Sequence, residues 1–377
     1  MNNNTTKKKI HVVFVLPSLL SGGGIEMHTL KLLRHFNREH FHFSLITLFE
    51  RPSLPSLYNT VPHDVEVYRL HFSGPYNGGQ WKALCVILKR ICPDVVVSSM
   101  FSANAIVRLL KPFFSYKVIT REHNTYEEKK LYHRLIDCVL AFFSEIILAV
   151  SSTVADFISK QAWIKREKII VVHNGVDCEA IHMFLKEKGE GEVYRVRNEI
   201  ALNDNEKIIL NVARLKPQKN HTLLIDAFEL FVQTHPLHHL VIVGNGIERD
   251  ALTAYIQKRG LQRKVHLLGY RDDVFAWYAA SDFFVLTSKR EGFPNVGVEA
   301  LAFGLPMIST RVPGVDEFLV DDKNGFIVAS NVLDLANKMN SIAEDPKKYE
   351  ENCKKTAQLF DIRKIAKAYE TLFYSTV

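Results

Sequence analysis

The chain has 377 residues, of which 47% are hydrophobic and 24% charged, and its formal net charge is +7. These proportions exclude a disordered or fibrous chain, and the length suffices for two domains with a core each. Its five cysteines (Cys85, Cys92, Cys138, Cys178, Cys353) are odd in number and form no C-x-x-C pair, which argues against a disulfide framework or a Cys-rich zinc site and fits a reducing compartment.

From the N-terminus, HVVFVLP (11–17) reads as a buried strand. It is too short for a signal-peptide core, and no Ala-x-Ala cleavage pattern follows. SGGGIEMH (21–28) then opens an amphipathic helix. Gly23 and Gly24 suit close backbone approach to an anion or a sugar, and equally suit a tight strand–helix turn. The loop lacks the third glycine of a dinucleotide fingerprint and the G-K-[ST] of a P-loop. FHFSLITLF (41–49), VEVYRL (65–70), DVVVSS (94–99), KVITREH (117–123), IILAVSS (146–152) and KIIVVHNGV (168–176) continue the strand series, with helical patterns between them. REHNTY (121–126) puts His123 at the carboxyl end of a strand, where an imidazole can hydrogen-bond or handle a proton.

Two stretches mix basic and apolar residues, VRLLKPFFSYK (107–117) and KKLYHRLIDCVLAFF (129–143). Arg108, Lys111, Lys117, Lys129, Lys130 and Arg134 are candidates for anionic headgroups, and Leu109, Phe113 and Phe114 for the bilayer interface. Packing of the apolar residues into the core is the alternative. The longest apolar stretch, Val139–Val150, is broken by Ser144 and Glu145 and falls short of the roughly 20 residues of a membrane span.

At about 178–205 the composition turns charged and poor in strand signals, which places the interdomain region there. Strands then resume with KIILNVARL (207–215), LHHLVIVGNG (237–246), KVHLLGY (264–270), DFFVLTS (282–288), PMISTRV (306–312) and GFIVAS (325–330). Continuous Val/Ile/Leu runs with helices between them predict parallel sheets covered on both faces. The expected fold is α/β, two Rossmann-like doubly wound domains facing across a cleft, with ligands at the carboxyl ends of the strands.

Several motifs fall at such ends. ARLKPQKNH (213–221) offers Arg214 and Lys219, a pair able to clamp a diphosphate or simply to form a solvated loop. VGNG (243–246) brings Gly244 and Gly246 to a turn or to a ligand. KREGFPNVGVEALAFGLP (289–306) puts Glu291 in a loop and Glu299 in the second turn of a helix that Pro294 begins and Gly304 ends. The N–H groups of Phe293 to Val296 lie at the positive helix end, a phosphate-binding geometry with a carboxylate on either side. Eight residues of helix rise about 12 Å, which gives no support to a glycoside-hydrolase carboxylate pair. Hydrogen bonding to sugar hydroxyls is the better role.

EGFPNVGVEALAFGLPMISTRVPG resembles the signature of the family 4 retaining glycosyltransferases, which have the GT-B fold. ARLKPQKNH, LVIVGNG, VHLLGYRDDVFAWYAASDFFVLTS and the N-terminal glycine loop agree with it, so the resemblance spans nearly the whole chain and is strongest at 207–328. It implies that Glu291 contacts the donor-sugar hydroxyls and Glu299 the ribose. Arg214 and Lys219 would hold the diphosphate. Gly292, Phe293, Pro294, Asn295 and Val296 would cradle sugar and phosphate. Leu268, Gly269 and Tyr270 fall at the base pocket, with Gly244 also on the donor side. Gly23 and Gly24 would lie near the diphosphate and His123 near the sugar. Glu291, His123, Arg214 and Lys219 are then the catalytic set.

The resemblance further implies an acceptor-binding domain at 1–178, a nucleotide-sugar domain at 179–360, and a final helix at 361–377 that crosses back to the first. The expected reaction moves a hexose or N-acetylhexosamine from a nucleotide sugar to a glycan or lipid-linked acceptor, with retention. Pro294-Asn295 favours a UDP-N-acetylhexosamine. Cell-envelope polysaccharide synthesis is the expected setting, in the cytoplasm or peripherally on the inner face of the membrane. No D-x-D motif occurs, so no metal or other cofactor is expected. The basic residues are dispersed without a reader motif, so no nucleic-acid partner is expected either. The alternatives are a nucleotide-sugar epimerase on the same fold, whose family lacks this EGFPNVGVE arrangement, and a non-catalytic nucleotide-sugar-binding module.

Overall fold

The computed structural model describes residues 8–20, 23–49, 56–74, 77–125, 131–161 and 163–377. Ser21 and Gly22 of the glycine loop, Tyr126, Lys129 and Lys130 lie outside the described residues. The chain divides into two compact units, 1–175 with 362–377, and 176–361.

The first unit holds a seven-stranded parallel sheet: β1 (Ile10–Leu16), β2 (Phe41–Thr47), β3 (Glu66–Arg69), β4 (Val95–Ser99), β5 (Lys117–Glu122), β6 (Ile146–Ala149) and β7 (Ile169–Val171). Their spatial order is β3-β2-β1-β4-β5-β6-β7, so the winding reverses between β1 and β4. Side chains alternate across a strand, and β1 buries both sets. Val12, Phe14 and Leu16 join one core cluster, while Val13 and Val15 join the other. Two-sided burial explains why the strand reads as an unbroken apolar run. Helix Ile362–Thr376 closes one face of this unit, with Tyr369 and Phe373 packed against Phe36. β7 is shorter than expected. Beyond it, the N–H of Gly175 donates to the His28 ring at 3.0 Å rather than to a strand.

The second unit repeats the plan with β8 (Lys207–Val212), β9 (His238–Val243), β10 (Val265–Gly269), β11 (Phe283–Leu286), β12 (Met307–Thr310) and β13 (Gly325–Val328), in the order β10-β9-β8-β11-β12-β13. The thirteen strands are those expected from the sequence. The charged segment after residue 177 is not a loose connection. It forms helices Cys178–Glu187 and Gly189–Glu199 within the second unit. Its charges find partners far along the chain, with Arg195 on Asp273 at 2.6 Å and Arg271 on Glu199 at 2.7 Å.

Arg108 requires a correction. Its guanidinium is buried, and it donates to Ser144 at 2.8 Å, Thr120 at 2.9 Å and Asp137 at 3.3 Å. It faces the interior and cannot meet a headgroup. Phe114 is half-buried and stacks on Tyr116. Among the described residues, no helix is long and apolar enough to cross a membrane.

Candidate functional site

In the second unit the winding reverses between β8 and β11. Loops at such a switch point splay apart and leave a crevice at the strand ends. The loop after β8 carries Arg214, Lys216 and Lys219, and the loop after β11 carries Ser288 and Glu291. Hydrogen bonds stitch the two together. Lys289 N–H donates to the Gln218 carbonyl at 2.8 Å, the Gln218 amide donates to the Arg290 carbonyl at 2.5 Å, and the Thr287 hydroxyl donates to the Lys219 carbonyl at 3.0 Å. Thr310 anchors Ser288 from β12 at 2.7 Å.

This stitching brings Lys219 and Glu291 together as a half-buried ion pair through Glu291 Oε1. The Ser288 hydroxyl donates to the same oxygen at 2.6 Å. The basic residues crowd one another. Arg214 and then burial, with a further push from Lys219, lower the pKa of Lys216. Burial and Lys219 push His221 down to about 4. The loop is therefore a region of positive potential whose helix-side histidine stays neutral, suited to an anion.

The stretch after Glu291 turns through Gly292, Phe293 and Pro294 into helix Asn295–Ala302, with Pro294 as its N-cap. Gly304, at φ +86°, ends that helix. Gly304 N–H bonds the Leu301 carbonyl and Leu305 N–H bonds that of Ala300, a Schellman closure. Glu299 sits on the second turn. Tyr278 donates to its Oε2 at 3.5 Å and to the Val296 carbonyl at 3.2 Å. Burial, with Glu299 adding to it, drives the Tyr278 pKa well above its ordinary value, so this hydroxyl remains a donor.

Gly244 and Gly246 owe their identity to neighbouring backbone. A Cβ on Gly244 would lie 2.0 Å from the Ala213 carbonyl oxygen, and one on Gly246 would lie 2.2 Å from that of Leu215. Both are backbone collisions with the residues flanking Arg214, so the β9 turn seats the cationic loop. Gly244 N–H also donates to Gly269 at 2.8 Å. Leu268, Gly269 and Tyr270 thereby adjoin the β9 turn, with Tyr270 exposed.

In the first unit, Gly23 is the N-cap of helix Gly24–His35, and the Glu26 side chain lies where its Cβ would be. His123 follows β5. Neither ring nitrogen has a hydrogen-bond partner among the described residues, and the same holds for Ser99 Oγ, Asn124 Oδ1 and Thr125 Oγ1. Burial first, then Arg121, lowers the His123 pKa well below the ordinary imidazole value. The ring is therefore neutral, one nitrogen a donor and the other an acceptor. Hydrogen bonds hold the strand end beneath it. Asn104 donates to Glu122 at 2.9 Å, and Arg121 donates to Thr29 at 3.0 Å and contacts the His28 ring at 2.8 Å. Such a group of buried polar atoms calls for a polar ligand or water.

Ser288, Gln218, Ser99 and Thr125 are not among the residues expected from the sequence. A serine closing an otherwise apolar strand run, as in DVVVSS and FFVLTS, is the signal that marks two of them. Among the described residues, no three His, Cys, Asp or Glu side chains converge in a group that could hold a metal ion.

Two family models cover most of the chain. Residues 22–180 match that of Glycosyltransferase Family 4, and residues 194–360 match that of Glycosyl transferases group 1. The chain belongs to glycosyltransferase family 4. One relative is the N-acetylgalactosamine-N,N'-diacetylbacillosaminyl-diphospho-undecaprenol 4-alpha-N-acetylgalactosaminyltransferase of Campylobacter jejuni, 33% identical over 54% of this chain and 53% of that protein. The chain spans about half the length of this and several other curated relatives that it matches. Among solved structures, HepE of Anabaena in complex with UDP and glucose superposes with TM-score 0.80 at 22% identity, over 96% of this chain and 99% of that one. A glycosyltransferase of Rickettsia africae superposes with TM-score 0.85 at 20% identity, over 98% and 99%. Likeness at these identities gives the fold, which is the GT-B fold of family 4.

Proposed function

We propose that this family 4 chain transfers a hexose or N-acetylhexosamine from a nucleotide sugar, UDP-linked by preference, to a glycan or lipid-linked acceptor in cell-envelope polysaccharide synthesis. The observation that carries the reading is the cationic loop of Arg214, Lys216 and Lys219, stitched to the Glu291 loop at the switch point of the second sheet. UDP in the Anabaena structure and a diphospho-undecaprenol acceptor in the name of the Campylobacter relative support the choice of donor and acceptor.

In this reading the second unit binds the donor and the first the acceptor. Arg214 and Lys219 face the diphosphate, aided by the amino end of helix Asn295–Ala302. Charge builds on the leaving phosphate as the anomeric carbon–oxygen bond breaks, and fixed cations and dipoles stabilise it without reorganising. Glu291 accepts from sugar hydroxyls and Glu299 from the ribose. His123, neutral, offers one donor and one acceptor to the sugar. The acceptor oxygen bonds the anomeric carbon on the face that the phosphate departs from, and its proton passes to the leaving phosphate oxygen. That route retains configuration without a protein nucleophile. The chain works on the cytoplasmic face of the membrane without spanning it.

Incubation with a panel of UDP- and GDP-sugars and a lipid-diphosphate-linked glycan tests the reading. Release of one nucleotide together with a glycosylated product supports it. Nucleotide release with an epimerised free sugar, or binding without turnover, contradicts it.

Two further outcomes are expected. Glu291→Gln lowers kcat, whereas Glu299→Gln chiefly raises the donor KM and weakens free UDP; equal losses of UDP affinity in both variants would contradict this division of roles. Activity persists in excess EDTA, because fixed cations take the place of a metal at the diphosphate. Loss on chelation that magnesium or manganese restores would overturn that part.

A further inference from the structure

Glu291 is a long side chain on a loop, so what it can bind depends on where its carboxylate is held. Lys219 reaches it on a flexible stem, and the ion pair alone would join one mobile chain to another. Ser288 differs. Its hydroxyl, close to the backbone, donates to Glu291 Oε1 at 2.6 Å, and the residue is 1% exposed. Its own carbonyl is held at 2.7 Å by the hydroxyl of Thr310, the last residue of β12. The preceding hydroxyl, that of Thr287, holds the backbone carbonyl of Lys219 at 3.0 Å. Two consecutive residues just past β11 thus tie both members of the ion pair to the sheet, Thr287 through the lysine backbone and Ser288 through the carboxylate.

Both donors to the carboxylate meet the same oxygen. A carboxylate oxygen offers about two lone-pair sites, and Lys219 and Ser288 fill those of Oε1. Oε2 has no hydrogen-bond partner among the described residues. It is the oxygen left to accept from a ligand. Hydrogen bonds to a charged acceptor are short and geometrically demanding, so holding Oε1 in place also sets the direction in which Oε2 can be used.

We infer that Ser288 is a positioning residue for transfer from the donor. It acts through Glu291, filling Oε1 and aiming Oε2 at the donor sugar. The inference rests on the proposed function for the ligand, a nucleotide sugar, and not for the arrangement of the carboxylate.

Two measurements test it. Crystal structures of the ligand-free wild type and of Ser288→Ala are expected to show one Glu291 rotamer in the first, with Oε1 between Lys219 and Ser288, and a displaced or divided carboxylate in the second. An unmoved carboxylate in the variant overturns the inference. Kinetics with the panel of UDP- and GDP-sugars and a lipid-diphosphate-linked glycan reads the consequence. With the donor that the wild type uses, Ser288→Ala is expected to lower kcat by about tenfold to 100-fold, the scale of one hydrogen bond to a charged group. Its affinity for the free nucleotide, UDP or GDP, should stay within about twofold of the wild type. Ser288→Cys, which keeps a weak donor, should fall between serine and alanine in kcat. On a Glu291→Ala background the change of Ser288 to alanine is expected to cost less than about twofold, because no carboxylate remains to be aimed. A kcat unchanged in Ser288→Ala contradicts the inference. So does an equal loss on both backgrounds, or a loss of nucleotide affinity in step with kcat, since a serine that only supports the loop would give those results. A wild-type chain that turns over no UDP- or GDP-sugar contradicts the proposed function, and the crystal structures then decide the positioning of the carboxylate on their own.

Discussion

Arg214→Ala and Lys219→Ala are each expected to lower kcat/KM for the donor by about 30-fold to several thousand-fold, the equivalent of roughly 2–5 kcal/mol for a cation lost opposite a desolvated charge. The two losses have different origins. Arg214 is exposed, so its removal subtracts one arm of the diphosphate clamp. Lys219 is half-buried and paired with Glu291, so its removal also leaves that carboxylate with Ser288 as its remaining hydrogen-bond partner described here. Lys219→Ala and Glu291→Gln should therefore fall well short of additive when combined, as groups in direct contact do. Arg214→Ala should add more nearly to Glu291→Gln. Steady-state kinetics on the three single and two double variants measures this. Wild-type kinetics in both alanine variants would remove the clamp from the account.

Arg108→Ala is expected to have the largest effect on stability. The guanidinium is 1% exposed and holds Thr120, Asp137 and Ser144. Truncation removes this cation from beside the buried Asp137 carboxylate, a loss of about 3–5 kcal/mol. For a unit of this size that lowers the melting temperature of the first unit by roughly 6–20 °C. Arg108→Met combined with Asp137→Leu should recover much of the loss, because burying two apolar groups removes both desolvation penalties. Differential scanning calorimetry distinguishes the outcomes. A single variant within a degree or two of the wild type would mean that the pair carries no such weight.

Much of the fold was legible because both sheets are buried on both faces. The runs at 11–17, 94–99, 207–215 and 282–288 are nearly continuous Val, Ile, Leu and Phe, a pattern that central parallel strands impose. What stayed hidden were pairings between distant residues. The segment after residue 177 reads as a charged linker only until Asp273 and Arg271 fold onto its helices. Arg108 looks like a surface cation because its partner, Asp137, is 29 residues away on a helix whose apolar face points outward. Helical periodicity gives the faces of a helix but not which of them turns inward, and here a buried ion pair decides. At the candidate site the charged residues stood out by type and position. Two of their supports, Gln218 and Thr287, did not, since a hydrogen bond between two loops leaves no mark in either. Gly244 and Gly246 were visible as glycines, but the carbonyls of Ala213 and Leu215 that require them were not.

The measurement that bears most directly on the donor site is calorimetric titration of free UDP into the full chain in EDTA, for the wild type and for the Arg214→Ala/Lys219→Ala double variant. The account expects one site per chain in the wild type and an affinity at least about 30-fold weaker in the double variant. Equal affinity in the two proteins, or no binding of UDP or GDP by the wild type, would contradict it.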